Sequence, residues 1–252
     1  MTLHKITTYS NDAKLALSLL SRTPISVEDG AYQRTAKAVW AYGLVGIVWG
    51  TLVWAVGLCA VTLNIPDGLA ALIALGTGLI FTGALHEDGL ADCADGLWGA
   101  QEKQRRLEIM KDSRIGTYGT VALVMALLLK VALLAEAELI WLALLVAPAV
   151  SRLTPLILMA CLPYVTDPDK SKSKPVADGF SRSRLLAAAG FVLLLAAGLS
   201  LGQPLLIPAA ITAVLLVAVF WGSYLRSQLG GYTGDTLGAA VVFSELALLL
   251  FL

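Results

Sequence analysis

The chain has 252 residues, of which 58% are hydrophobic and only 14% are charged, whereas a soluble domain carries roughly a quarter charged residues. Acidic and basic residues balance at 18 each, so no overall basic field is present to attract nucleic acid. The three cysteines are widely spaced, which argues against a disulfide framework and against a thiolate metal site. Because the apolar residues form blocks long enough to cross a bilayer, we predict an all-α polytopic membrane protein.

The N-terminal segment, residues 1–37, lacks the basic, apolar and small-residue order of a cleaved signal peptide. We predict a short amphipathic helix at the membrane interface or in the cytoplasm, ending near Arg22. Residues 38–252 are expected to form the helical membrane bundle, so that 1–252 is one integral-membrane domain. Seven segments are predicted to span the lipid bilayer, at about 38–63, 68–85, 117–135, 139–162, 185–202, 204–222 and 236–252.

The placement of positive charge predicts the orientation. Lys and Arg residues occur before the first span and in the connections after the second, fourth and sixth spans, whereas the other connections contain none. Cytoplasmic loops retain Lys and Arg because their translocation is disfavoured. We therefore expect the N-terminus and those three connections to face the cytoplasm.

Two basic residues, Lys130 and Arg152, lie inside apolar segments. A charge at bilayer depth costs at least roughly 2.5–3.5 kcal/mol unless it meets a wet cavity or a partner. Lys130 is near enough to a helix end to extend its ammonium group to the interface, and a place inside the bundle is the alternative. For Arg152 we favour a position in a site, where the guanidinium contacts a carboxylate or a phosphate.

The stretch 86-HEDGLADCADG-96 places one His, one Glu and three Asp directly after an uncharged run. Since a helix turns about 100° per residue, Asp92 and Asp95 lie about 40° and −20° from Asp88, on one face. Such like charges repel each other unless a cation lies among them. A face of carboxylates suits Mg²⁺, which adds substrate phosphate oxygens to one or two carboxylates. The alternative is a solvated polar helix start that ends the preceding span.

Two further residues, His86 and Glu87, lie next to this face. His86 is a candidate general base, and a His bonded to a carboxylate or to a helix end explains it equally well. Glu87 points about 100° away from Asp88 and is left outside the set of metal ligands.

A second polar stretch, 108-EIMKDSRIGTYGT-120, precedes the third span. Lys111 and Arg114 are expected to offset phosphate charge, with Arg offering a bidentate fork. Asp112 is either a further metal ligand or a partner for the nearby Arg. The alternative for the whole stretch is a juxtamembrane basic patch that meets anionic lipid head groups.

The third polar stretch, 230-GGYTGDTLGA-239, lies at the start of the last span. Its glycines and hydroxyls predict a tight loop that approaches substrate through Gly231, Thr233 and Thr236, and either Thr is also suited to cap the helix. Asp235 is a candidate catalytic carboxylate. By the orientation argument, all three stretches lie on the cytoplasmic side, where they would form one active site.

In this order, the stretches 86–96, 108–119 and 231–239 resemble the membrane-bound cobalamin synthase family, the adenosylcobinamide-GDP ribazoletransferases. The resemblance covers nearly the whole chain and implies a bacterial inner-membrane enzyme with Mg²⁺ as its cofactor. It implies transfer of the phosphocobinamide group of adenosylcobinamide-GDP to α-ribazole, or to its 5′-phosphate, with release of GMP, late in vitamin B12 biosynthesis. The family's acidic positions correspond to Asp88, Asp92, Asp95, Asp112 and Asp235.

Residue pattern and resemblance together predict one mechanism. Asp88, Asp92 and Asp95 hold Mg²⁺ against the diphosphate of the substrate. Charge on the transferring phosphoryl group is offset further by basic side chains, namely Lys111, Arg114 and Arg152. The residue that orients or deprotonates the ribazole hydroxyl is left open among Asp235, Asp112 and His86.

The chain departs from the family pattern at Glu87, where many relatives carry an apolar residue, and the loop 163–184 shows no pattern that aligns. One class of alternatives comprises CDP-alcohol phosphotransferases and prenyltransferases, but their DGxxAR motif or second Asp cluster is missing. A secondary transporter is the other alternative, although it would place ionisable groups near the midplane of repeated or broken helices. Glycines at 46, 50, 76 and 78 permit close helix packing, within the chain or in a homo-oligomer.

Overall fold

The computed structural model describes residues 2–28, 30–137, 140–165, 180–200 and 203–251. Within these ranges the chain is helical, and its only β contact is an isolated bridge between Tyr164 and Tyr232. Short 3₁₀ turns at Ala31–Arg34 and Val39–Ala41 flank the second α-helix. The α-helices are α1 (Thr2–Leu20), α2 (Thr35–Ala38), α3 (Tyr42–Thr62), α4 (Asp67–Thr82), α5 (Leu85–Gly99), α6 (Lys103–Ile109), α7 (Thr117–Glu136), α8 (Ile140–Ser151), α9 (Leu153–Cys161), α10 (Arg182–Leu199), α11 (Leu206–Gln228) and α12 (Gly234–Leu249).

The prediction of an all-α, multi-pass membrane protein is confirmed. Helices α4 and α5 are together apolar enough to span, but they are bent by 87° at a short break. The last helix, α12, has 16 residues and is not counted among the spans, so the total of seven and the orientation stay predictions. The helical segments in the described ranges that are long and apolar enough to cross a membrane are Ala31–Thr62, Thr117–Glu136, Leu142–Cys161, Arg182–Leu199 and Leu206–Gln228.

The break between α4 and α5 comes earlier than the sequence indicates, because the predicted span at 68–85 ends at Thr82. Gly83 and Ala84 both adopt left-handed backbone conformations, with φ of 65° and 54°. The segment that follows α1 contacts the chain next to this break. The backbone N–H of Arg22 donates to the carbonyl of Phe81 at 2.7 Å. The turn allows α5 to leave the direction of α4 and to pack against α7 and α12.

Small residues hold the bundle together within the chain. Gly46 and Gly50 of α3 face the backbone of α8 so closely that a Cβ at either position would overlap it. Gly78 of α4 faces the indole of Trp49, whose Nε1 donates to the Gly78 carbonyl at 3.0 Å. Gly46, Gly50 and Gly78 therefore serve contacts inside the protein, one of the two uses expected for the four glycines. An added Cβ at Gly76 would meet no neighbouring element within 4 Å, and a homo-oligomer stays a prediction.

The best-enclosed part of the bundle is the α8–α9 unit, whose apolar window is 89% buried. Pro148 lies inside α8, and Arg152 separates the two helices. The remaining helices pack around this unit, and α5, α7 and α12 form the side of the bundle that carries the acidic residues. The predicted N-terminal helix is present as α1, and its place at the membrane interface stays a prediction.

Candidate active site

Asp95 joins the first polar stretch to the second. Its Oδ2 accepts a hydrogen bond from the backbone N–H of Gly116 at 2.6 Å, and its Oδ1 accepts one from Gly119 at 2.8 Å. The first N–H groups of a helix lack partners within the helix and carry partial positive charge. Asp95 therefore caps the start of α7 from a neighbouring helix. Each oxygen keeps a lone pair for another ligand, so its metal contact stays a prediction.

Gly89 joins the first stretch to the third. A Cβ at Gly89 would lie 2.6 Å from the carbonyl oxygen of Asp235, so only glycine lets the start of α12 approach α5 this closely. Asp235 is the second residue of α12 and is half-buried. The contact places a fourth carboxylate beside the aspartate face of α5.

The start of α12 is fixed by a cap in which both threonines take part, whereas the sequence indicates only that one of them is suited to cap. Thr233 Oγ1 accepts from the backbone N–H of Thr236 at 3.3 Å, and Thr236 Oγ1 accepts from the backbone N–H of Thr233 at 2.9 Å. This arrangement is a capping box. Both threonines are buried, and their expected contact with substrate stays a prediction beside this structural role.

Gly231, also expected at the substrate, packs against the segment that follows α9. A Cβ at Gly231 would lie 2.6 Å from the side chain of Val165. The backbone N–H of Tyr232 donates to Pro163 at 2.9 Å, and that of Val165 donates to Tyr232 at 3.0 Å. One end of the predicted loop 163–184 therefore adjoins the site, while residues 166–179 of that loop lie outside the described residues.

Charged groups of the three stretches act on one another electrostatically. The charges that act on the carboxylate of Asp92 are, in order of decreasing effect, those of Asp235, Asp88 and Asp95. The carboxylate of Asp235 is in turn influenced by Asp88 and by the ammonium group of Lys111. Asp88 is exposed, whereas Asp92 and Asp95 are half-buried. The site is thus an acidic surface with a lysine at its edge.

The chemistry of this donor set fits Mg²⁺. Carboxylates that act on one another, with no thiolate or imidazole among them, suit a hard divalent cation. Within the described ranges, no three His, Cys, Asp or Glu side chains converge closely enough to hold a metal ion by themselves. Mg²⁺ commonly takes only one or two carboxylates and completes its shell with water and substrate phosphate. Asp88 and Asp92 would be the ligands that face the open side.

Asp112 and Arg114 pair with each other at the surface. Arg114 Nη2 donates to Oδ2 of Asp112 at 2.7 Å, and Arg114 Nε donates to Oδ1 at 3.1 Å. Hydrogen bonds from Arg114 lower the pKa of Asp112 to about 2. Of the two roles left open for Asp112, the structure displays the partnership with Arg. The Arg114 side chain is 87% exposed, so its outer N–H groups can still meet an anion.

The remaining predicted site residues, His86 and Arg152, are buried inside the bundle. Arg152 Nη1 donates to the carbonyl of Pro148 and lies 3.4 Å from Oε1 of Glu245. The predicted carboxylate partner is therefore present, but it is a protein group. His86 lies within the field of Arg152 and Glu245.

The interpretation of Lys130 as a residue that extends to the interface is wrong. Its side chain is 3% exposed, and its Nζ lies 2.7 Å from Glu245 and 3.6 Å from Glu87. Sequence reasoning missed this cluster, which we call the buried ion cluster: Glu87, Lys130, Arg152 and Glu245. A signal was available, since two acidic and two basic residues fall within or beside apolar segments, and such charges need partners at that depth.

Comparison with known proteins supplies the family. A family model for cobalamin-5-phosphate synthase matches residues 12–252. The chain belongs to the cobalamin-5-phosphate synthase family. It is accordingly a transferase of cobalamin biosynthesis, and the resemblance drawn from the three polar stretches is confirmed. The alternatives of a different phosphotransferase, a prenyltransferase or a transporter receive no support from the matches.

Curated relatives agree with this assignment. An adenosylcobinamide-GDP ribazoletransferase of Vibrio parahaemolyticus is 40% identical, over 94% of this chain and 90% of its own length. One of Shewanella halifaxensis is 41% identical, over 94% and 93%. One of a Polaromonas species is 44% identical, over 71% and 70%. No solved structure matches the chain.

Proposed function

We propose that this family member transfers the phosphocobinamide group of adenosylcobinamide-GDP to α-ribazole or to α-ribazole 5′-phosphate, with release of GMP. The names of the relatives support the substrate class. The observation that carries the proposal is the meeting of the α5 aspartates with Asp235 and Lys111 on one surface. A diphosphate bound through a divalent cation suits a surface of this charge.

The residues on this surface have separate tasks. Asp88 and Asp92 would hold Mg²⁺, which when bound offsets the negative charge of the diphosphate and of the departing GMP. Asp95 holds the start of α7 in place and contributes the third carboxylate. Lys111 is exposed at the edge of the site and binds phosphate oxygens as a point charge.

Arg114 serves as a bidentate phosphate ligand. Asp112 engages its Nε and one Nη, which orients the planar guanidinium and leaves the opposite edge for a phosphate. In the reaction, the ribazole hydroxyl oxygen forms a bond to the phosphorus next to cobinamide. The bond from that phosphorus to the bridging oxygen breaks, and GMP leaves with the bonding electrons.

Asp235 accepts the proton of the ribazole hydroxyl. Of the three candidates, His86 is buried in the bundle, and Asp112 is ionised through its pairing with Arg114, with a pKa of about 2. A base works best when its pKa lies near the operating pH, so Asp112 is a poor choice. Asp235 is half-buried and lies beside the metal-binding face.

We also assign the protein to the bacterial inner membrane, with the site and the N-terminus on the cytoplasmic side. The distribution of Lys and Arg supports this orientation. Lys103, Arg105 and Arg106 lie on α6, which packs against α5. Basic residues of this kind also suit contact with anionic lipid head groups.

The test is release of GMP from adenosylcobinamide-GDP by the purified protein in lipid, measured as a function of Mg²⁺ concentration. Wild-type protein is expected to release GMP only when Mg²⁺ and α-ribazole, or its phosphate, are present. Asp92→Ala should reduce release at limiting Mg²⁺ by about 100-fold or more, because loss of a residue that only orients a metal ligand already costs about 10–100-fold. Glu108→Ala, which removes an exposed carboxylate of α6, is the matched control. Unchanged turnover in Asp92→Ala would contradict the metal assignment.

A further inference from the structure

The buried ion cluster lies within the bundle, behind the acidic face of α5. Its four side chains are between 3% and 8% exposed. The cluster joins α5 through Glu87, α7 through Lys130, the α8–α9 break through Arg152 and α12 through Glu245. Two cations and two carboxylates balance, so the cluster is neutral as a whole.

Stability alone does not account for this cluster. Buried ion networks are often replaced by well-packed apolar residues without loss of stability, whereas removal of one partner is strongly unfavourable. Two of its atoms, Oε2 of Glu87 and Nε of Arg152, have no hydrogen-bond partner within the described structure. Such a network does restrict the arrangement of the helices that carry it, because any other arrangement leaves a buried charge unpaired.

Glu87 connects the cluster to the acidic face. It directly precedes Asp88, and on a helix the two side chains differ in direction by about 100°. Glu87 accordingly faces inward, 3.6 Å from Lys130, while Asp88 is exposed. Rotation of α5 about its axis would move Asp88 and its neighbours, and it would also withdraw Glu87 from Lys130.

We propose that Glu87 is a positioning residue whose pairing with Lys130 sets the rotation of α5, and with it the direction of Asp88 and Asp92 relative to Asp235. Of the two measurements that test this inference, only the Mg²⁺ dependence of GMP release rests on the proposed function. The positioning itself is a property of the metal-free protein. Lys130 is in turn held by Glu245 at 2.7 Å, so α7 and α12 act as the fixed reference for α5.

The first measurement is hydrogen–deuterium exchange of the α5 backbone in metal-free protein in lipid nanodiscs. Glu87→Gln keeps the side-chain shape and removes the charge. We expect exchange of the amides in 85–95 to rise by about 10-fold, because opening of the helix no longer separates an ion pair. Ser200→Ala is the matched control, since it removes a buried 2.6 Å side-chain hydrogen bond to the carbonyl of Ala196 at the end of α10, a helix that the buried ion cluster does not join.

The second measurement is the Mg²⁺ concentration that gives half-maximal GMP release. We expect Glu87→Gln to raise it by about 10-fold or more, as for other residues that orient metal ligands, with little change at saturating Mg²⁺. The double variant Glu87→Gln/Lys130→Met removes one charge of each sign and keeps the cluster neutral. Glu245 then keeps only Arg152, 3.4 Å away, as a cation, so the unfolding temperature should stay below that of the wild type. The higher Mg²⁺ concentration should still be required.

The outcomes separate the two proposals. Wild-type exchange and wild-type Mg²⁺ dependence in Glu87→Gln would overturn the positioning role. Recovery of wild-type Mg²⁺ dependence in the neutral double variant would also overturn it, because the cluster would then serve stability alone. Absence of GMP release from the wild-type protein would overturn the proposed function, while the exchange comparison needs no turnover and would still decide whether Glu87 holds α5.

Discussion

The ammonium nitrogen of Lys130 lies 2.7 Å from Oε2 of Glu245, although the two residues are 115 positions apart in the chain. The pair joins α7 to α12 in the interior of the bundle. Trp49 adds its ring face 5.7 Å from the same ammonium group, a distance at which a cation is attracted to an aromatic ring. The charge is therefore held by protein groups and not by the membrane interface.

Loss of the Lys130 charge should lower the stability of the protein, and removal of the opposing charge of Glu245 should restore it. Lys130→Met leaves Glu245 without its nearest partner, and we expect a loss of about 3–5 kcal/mol in the free energy of unfolding. Lys130→Met/Glu245→Gln removes both charges and should restore most of that loss. Thermal unfolding in detergent, followed by the share of protein that remains monodisperse, measures both. Equal instability of the two variants would show that the pair is not the cause.

Two aspartates of the same helical face should respond in opposite ways. Asp95→Ala removes the cap from the start of α7 and should reduce stability by about 0.5–2 kcal/mol. Asp88 is exposed among like charges, so Asp88→Ala should leave stability unchanged or slightly higher. Chemical unfolding of both variants tests this contrast. A loss of stability in Asp88→Ala as large as that in Asp95→Ala would count against the assigned roles.

Close packing between α5 and α12 should make Gly89 intolerant of a side chain. A methyl group there meets the Asp235 carbonyl, and we expect Gly89→Ala to lower stability by about 1–3 kcal/mol and to reduce GMP release. Gly76→Ala is the control, because no atom of a neighbouring element lies within 4 Å of its added Cβ. An alanine in a helix is favoured over glycine, so this control should be neutral or stabilising. The measurements are the unfolding temperature and the rate of GMP release.

The pH dependence of the reaction should distinguish Asp112 from Asp235. Because Arg114 lowers the pKa of Asp112 to about 2, any contribution of the ionised pair is present above the ordinary pKa and is lost only as the pH falls toward 2. The acidic limb of the pH–rate profile is the fall in rate that accompanies protonation of the general base. Asp112→Asn should therefore leave this limb in place. Asp235→Asn should abolish GMP release, so that no limb can be measured. Disappearance of the limb in Asp112→Asn would instead identify Asp112 as the base.

Sequence reasoning reached the site through local geometry. The 100° turn per residue placed Asp88 and Asp92 on one face. A cap by Thr233 or Thr236 followed from their position before an apolar helix, and the structure shows Thr233 at the N-cap. It failed where the answer depended on distant residues. The 87° turn at Gly83 and Ala84 has no strong local signal, because alanine seldom adopts a left-handed conformation.

The buried ion cluster shows the same limit. Lys130 looked like a residue near a helix end, and nothing in its neighbourhood indicates Glu245. Pairing of these two residues depends on how α7 and α12 pack, which local sequence does not determine. Arg152 was expected to meet a carboxylate or a phosphate, and the partner that the structure supplies is Glu245, 3.4 Å away.

The central claim is that the α5 aspartates hold a divalent cation against the substrate diphosphate. It is tested most directly by replacing Mg²⁺ with Mn²⁺ and measuring hyperfine coupling between bound Mn²⁺ and the phosphorus nuclei of adenosylcobinamide-GDP, by electron–nuclear double resonance on the protein in lipid. We predict phosphorus coupling in wild-type protein and its loss in Asp92→Ala, with Glu108→Ala unchanged. Equal phosphorus coupling in wild-type and Asp92→Ala protein would contradict the account.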